Sequence, residues 1–321
     1  MNSSRIDYID VVKGFAILLL LLSHSIPGEG LIKTWIFSFH MPIFFIVSGY
    51  LHSFKGIVKI KDYLKKRKRN LIIPYFLFGF VLTLFYLALD YIALSKNELI
   101  IESFKERILR LVSMQGIDSL WFLPTYFFSE LLYVLLKPLK LKWHLLLLII
   151  AIAALCLVPQ PLQAFYKLFY RIVLGFVFIE IGFLFGTLIK VNKIPTYLCI
   201  LSLLLFSISS YHNGFASMNQ VHNVILYCMN AVGISLALIA LFARCEMDIV
   251  IKKILIFYGI GSLIIVCTNN ILIEIIRLLD YKMLGSIMLQ SGLLGCLCFF
   301  IIVSISEIPL IYKLRGLFVN K

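Results

Sequence analysis

Lys13 and His24 bracket ten uncharged residues, GFAILLLLLS, in a run where an ionisable side chain is costly. Eleven positions at about 100° per residue make three turns plus about 20°, so both side chains leave one helix face, about 16 Å apart along the axis. Asp10 sits three residues before Lys13, the spacing of a helical ion pair. Taken alone, Lys13 has two readings: a cation reaching back to the membrane surface along its own stem, or a group held for chemistry. An imidazole inside an apolar span marks a functional site by default, with a hydrogen-bonded packing histidine as the alternative. Imidazole suits general acid–base work because its pKa lies near working pH.

A second imidazole, His40, opens the run HMPIFFIVSGYL, at a depth similar to that of His24 if consecutive helices run in opposite directions. The two could face one cavity, or His40 could cap its helix near the headgroups. Ser48-Gly49 lets another helix come close. Ser48 as a nucleophile lacks a G-x-S-x-G turn around it. The cation-dense stretch from Lys61 to Arg69 sets topology and meets anionic lipid. Its other reading is an anion site, in which Arg67 and Arg69 hold phosphate groups of a nucleotide. Trp121 is either an interfacial belt residue or a platform for a sugar ring. Glu130, nine residues further on, is an intramembrane carboxylate that needs a partner, and Glu180, Asn269, Asn270 and Glu274 are further polar candidates in apolar runs.

The elements that position these groups are helices in lipid. Hydrophobic residues make up 61% of the 321 and charged ones 14%, where a soluble chain carries about a quarter charged. The mean hydropathy is +1.00. The fold class is all-α, a polytopic integral membrane protein with about ten transmembrane helices. The expected spans are 11–28, 35–54, 71–94, 119–136, 143–158, 172–189, 195–211, 222–243, 254–276 and 284–306. The first run follows Asp7 and Asp10 without a small-residue cleavage site, so it reads as a span and not a cleaved leader.

Lys and Arg are concentrated in the even-numbered connections and at the ends, including Lys55, Lys65, Lys66, Lys137, Lys140, Lys190, Arg244 and Lys253. Both termini are therefore expected in the cytoplasm. The net charge of +14 reports this orientation and contact with membrane lipids, with no nucleic acid implied. Residues 97–116 carry apolar positions at helical spacing with charges opposite, the pattern of an interfacial helix. The seven cysteines lack metal-ligand spacing, so no metal site is expected; a helix turns Cys296 and Cys298 apart.

YIDVVKGFAILLLLLSH, FHMPIFFIVSGYL, KKRKRNLIIPYF, LWFLPTYF and GIGSLIIVCTNN, in this order, resemble the membrane-bound acyltransferase family 3, most closely its fucose 4-O-acetylase-like branch. The family's basic residue, ten residues and histidine read here as Lys13 to His24, with Lys for the commoner Arg. Two positions depart from the pattern: Asn70 stands where a second arginine often follows Arg67, and Asn269 stands where a histidine often follows Ser262.

The resemblance implies one transmembrane acyltransferase domain over 1–321 in a bacterial inner membrane. It implies O-acylation, most simply O-acetylation, with cytoplasmic acetyl-CoA as the acyl donor. The acceptor is an extracytoplasmic polysaccharide or lipid-linked sugar of the cell envelope. His24 is then the general base or a transient acyl carrier, with Lys13 and Asp10 at the donor end. Lys13, Arg67 and Arg69 would bind the donor, and His40, Ser48, Trp121 and Glu130 the acceptor. The rival reading is a transporter or flippase that uses the same buried polar groups for passage of a glycan or small molecule.

Overall fold

Leucine, isoleucine and phenylalanine runs this long satisfy their backbone only as helices, because lipid offers no hydrogen bonds. The computed structural model describes residues 6–57, 59–93, 97–158, 164–284 and 292–318. Among the described residues 84% are helical and none lies in a strand. In chain order the helices are α1 (Asp7–Ser25), α2 (Leu31–Phe37), α3 (Pro42–Ser53), α4 (Ile60–Arg67), α5 (Ile73–Ala93), α6 (Asn97–Val112), α7 (Phe122–Leu136) and α8 (Leu141–Leu157). They continue as α9 (Ala164–Leu188), α10 (Thr196–His212), α11 (Val224–Phe242), α12 (Ile249–Leu284) and α13 (Gly292–Phe318). Lys68–Ile72 is a π-helical turn joining α4 to α5, and Asp118–Trp121 is a 3-10 turn leading into α7.

Eight stretches are long and apolar enough to cross a membrane: Asp7–Ser25, Leu31–Ser53, Ile60–Ile92, Asp118–Leu136, Tyr166–Leu188, Val224–Phe242, Ile249–Lys282 and Gly292–Leu317. Leu141–Leu157 and Thr196–His212 are shorter apolar helices of 17 residues each. The expected run 35–54 divides into α2 and α3 because Pro42 takes the first helical position, where its missing N–H is harmless. The helical stretch that carries the expected third span begins at Ile60, well before residue 71, since Lys and Arg extend a helix readily; the apolar composition does not mark the helix end. Likewise α12 runs on to Leu284 and α13 begins at Gly292; residues 285–291 of the expected span 284–306 lie outside the described residues. The expected interfacial helix is α6.

The residues form two compact units, interleaved in sequence. The first comprises Met1–Val58, Ser129–Leu162 and Tyr170–Ser262. Its centre is α11, which packs along α10 and against α1, α3 and α8. Close approach is set by glycines. A Cβ at Gly49 of α3 would meet the Ile179 carbonyl of α9, and one at Gly182 would meet the Ile46 carbonyl. Gly186, one turn on, faces Ser53, so the GFLFG stretch of α9 is a small-residue strip of the kind that lets membrane helices touch. Gly14 and Gly259 do the same for α1 and the first part of α12, against the carbonyls of Leu255 and Asp10.

The second unit comprises Lys59–Phe128, Gln163–Phe169 and Leu263–Lys321. Here α5 packs on α6. Gly79 faces Leu111, Tyr75 donates its hydroxyl to the Leu111 carbonyl at 2.9 Å, and Arg107 pairs with Asp90 at 2.6 Å. Leucines and isoleucines such as Ile149, Leu204 and Ile301 are exposed on helix faces, which suits contact with lipid tails. Cys296 is buried and Cys298 exposed, as a helix requires.

Gly49→Ala forces α3 and α9 apart and is expected to destabilise the protein by about 1–3 kcal/mol. Gly316→Ala, with open space around it, is expected to be neutral or to stabilise by up to about 1 kcal/mol. Thermal unfolding in detergent compares the two.

Candidate active site

α1 is unbroken from Asp7 to Ser25, so the same-face geometry of Lys13 and His24 holds. Asp10 is buried and accepts from Lys13 Nζ at 2.7 Å. That pairing occurs where Gly259 lets α12 lie against the Asp10 carbonyl. Near this end Asp7 pairs with Lys252 at 3.0 Å, beside a cavity of about 380 Å³ that is also lined by Tyr8, Phe242 and Glu246. With Asp7 and Glu246 in its wall, the cavity by itself is no phosphate site.

At the other end of α1, His24 is partly buried, and its ring lies 6.4 Å from that of Phe37. His40 is 4.9 Å from the same Phe37 ring, so one aromatic side chain touches both imidazoles. Phe215 adds a second ring 4.9 Å from Phe37, and Lys33 Nζ stands 6.0 Å over it. His40 is buried and donates Nδ1–H to the Ile36 carbonyl at 2.8 Å. The short break between α2 and α3 brings that carbonyl within reach. His24 and His40 thus share Phe37 as a neighbour.

Ser48 and Glu130 stand elsewhere. Glu130 Oε1 accepts from Ser48 Oγ at 3.1 Å and from His52 Nε2 at 3.0 Å. Ten helical residues separate Pro42 from His52, about 15 Å, so this cluster lies at the opposite end of α3 from His40. The partner that Glu130 needs is His52, which sequence reasoning did not single out. Its i+4 spacing from Ser48 was the available signal. His144 was missed in the same way; its Nδ1 donates to Glu180 at 2.9 Å, and both side chains are buried.

Lys137 closes the end of α3. Its Nζ donates to the carbonyls of His52, Lys55 and Gly56 at 2.8, 2.7 and 3.1 Å, satisfying acceptors that the helix terminus leaves open. Burial, with the Lys55 charge as a second cause, holds the Lys137 ammonium below its usual value near 10.5.

In the second unit Arg67 and Arg69 part company. The Arg67 guanidinium lies 5.8 Å over Tyr63 and 5.7 Å over Tyr126, and Arg69 is exposed. Trp121 is partly buried in its 3-10 turn, next to Gly116, whose φ of +80° and contact with the Trp121 backbone exclude a side chain. Ser119 accepts from Asn269 Nδ2 at 3.3 Å and donates to Asn270 Oδ1 at 3.4 Å, joining two of the sequence motifs. Glu274 pairs with Arg277 at 2.7 Å. Glu307, a further buried carboxylate missed in the sequence, accepts from Thr268 at 2.7 Å.

Apolar spanning helices with paired ionisable groups inside them define a multi-pass membrane protein whose interior is built for polar chemistry. The acyltransferase-domain family model Acyl_transf_3 matches residues 6–308, and the chain belongs to that membrane acyltransferase family. No curated protein and no solved structure matches it.

His144→Ala strands the Glu180 carboxylate and is expected to cost about 3–5 kcal/mol, and His144→Phe with Glu180→Leu recovers most of it. Thermal unfolding of the single and double variants measures this. Between its depressed folded pKa and 10.5, Lys137 holds more proton in the unfolded chain. Its contribution to stability therefore rises with pH across that window. The pH dependence of unfolding should flatten there in Lys137→Met.

Proposed function

We propose that the protein moves an acyl group, most simply acetyl, from cytoplasmic acyl-CoA to a hydroxyl of an extracytoplasmic polysaccharide or lipid-linked sugar in a bacterial inner membrane. The observation that supports this most is α1 itself, a rigid helix with an acid-held cation at one end and an imidazole beside Phe37 and His40 at the other. His24 takes the proton of the sugar hydroxyl as its oxygen attacks the thioester carbonyl. The carbon–sulfur bond then breaks, and the leaving thiolate takes the proton back from the imidazolium. Lys13, oriented by Asp10, meets the donor. His40, with Nδ1–H committed to the Ile36 carbonyl, offers Nε2 to the acceptor side.

On the second unit, the basic stretch containing Arg67 and Arg69 is suited to phosphate groups, and Trp121 to a sugar face. Ser48 and Glu130, tied to His52, serve the acceptor through α3, which carries His40. A transporter or flippase is the second reading, favoured by the two intramembrane carboxylate–imidazole pairs.

Mass spectrometry of the cell-surface glycan separates these readings. Knockout cells are expected to lose an acyl mass that the wild-type gene restores and His24→Ala, at equal protein level, does not. In a purified assay His24→Ala should lose about 100-fold or more in rate, and Lys13→Arg should outperform Lys13→Ala. A glycan unchanged by the knockout would overturn the acyl-transfer reading.

A further inference from the structure

Three buried polar atoms of the first unit, His52 Nδ1, the Tyr133 hydroxyl and His144 Nε2, have no hydrogen-bond partner among the described residues. They belong to neighbouring side chains. The Tyr133 ring is 5.0 Å from that of His52 and 6.2 Å from that of His144, and Phe183 lies 5.5 Å from Tyr133 and 5.0 Å from His144. Tyr133 is 0% exposed, His144 1% and His52 7%. A buried polar atom left unpaired is costly, and three on neighbouring side chains call for a ligand.

The carboxylates behind the imidazoles determine what that ligand must offer. Glu130 accepts from Nε2 of His52 and Glu180 accepts from Nδ1 of His144, so in each neutral ring the other nitrogen, buried and without a partner among the described residues, carries a bare lone pair. The atoms to be satisfied are two acceptors and one hydroxyl donor. Water matches this set: its two O–H groups donate to the imine nitrogens and its oxygen accepts from Tyr133, the three bonds typical of an internal water.

We infer that His52, Tyr133 and His144 bind water inside the first unit, and that this water joins the Glu130–His52 and Glu180–His144 pairs into one chain sharing a single proton. A proton taken up at either imidazole turns its bare nitrogen into a donor, and the water reorients to accept it. A remaining water O–H still donates to the other imidazole, which now faces a new positive charge, so the second proton is opposed. The charged and titratable groups around the chain are His52 and Lys55 at the end of α3, Glu130, Tyr133 and Lys137 of α7, His144 of α8 and Glu180 of α9. Lys137, bonded to the His52 and Lys55 carbonyls, adds to the opposition. The chain is separate from the proposed transfer at His24 and does not rest on it.

The full-length protein in lipid nanodiscs provides the test, by infrared difference spectra between two pH values in ordinary and oxygen-18 water. The wild type is expected to show an internal O–H band that moves with the isotope and is lost in Tyr133→Phe, which keeps the ring volume. Histidine nitrogen NMR should find His52 protonated at Nε2 and His144 at Nδ1. It should also find that His144→Gln shifts the proton affinity of His52 by about tenfold, the mark of coupled sites. No isotope-sensitive band in the wild type, a band that survives Tyr133→Phe, or a His52 titration untouched by His144→Gln would each overturn the inference.

Discussion

Where Gly49 faces the Ile179 carbonyl and Gly182 faces the Ile46 carbonyl, α3 and α9 meet backbone to backbone. Lipid tails are as apolar as leucine, so burying leucine drives helices together far less than it does in water. Close packing and polar pairs must supply the attraction instead. Missing side chains at these glycines let α3 sit deep enough for Ser48 and His52 to reach Glu130, and for Tyr50 to meet Phe185 at 6.0 Å. The position of His40 at the far end of the same helix follows from that seating. The contact of Gly14 and Gly259 fixes α1 in the same manner at the level of Asp10 and Lys13.

The sequence was most informative where the relevant geometry is local. Lys13 and His24 share one helix, so their common face and separation followed from spacing alone, and the Asp10 pairing from three residues of offset. Helical membrane architecture was legible for the same reason, since a long apolar run in lipid has few other ways to satisfy its backbone. Boundaries were less so. The helices carrying Lys65 to Arg69 and Arg277 to Lys282 continue past the expected apolar spans, because nothing in those residues stops a helix.

What hydropathy does not encode is which face meets which neighbour. Glu130 and Glu180 were recognisable as carboxylates in need of partners, but His52 and His144 are 78 and 36 residues away from them in the chain. Only the helix packing brings them together. Buried carboxylate–imidazole pairs of this kind add little net stability over an apolar substitute, yet each is expensive to break by halves. Their presence thus speaks for a selected arrangement more than for a strong one. Arg67 tells a related story: the charge pattern suggested an anion ligand, and of the two rings it packs over, Tyr63 is one helical turn back while Tyr126 is distant in sequence.

The π-helical turn at Lys68–Ile72 fits one more residue into a turn than an α-helix would. It therefore acts as a phase shifter between α4 and α5. Without that extra residue, every side chain from Ile73 onward would rotate by about 100° about the helix axis. Leu82 and Thr83, now buried, would exchange surroundings with neighbours now facing outward. Comparing this protein with relatives position by position thus requires following helical phase through this turn. Residues three apart across Arg67 and Asn70 occupy different angular places from residues three apart in a regular helix.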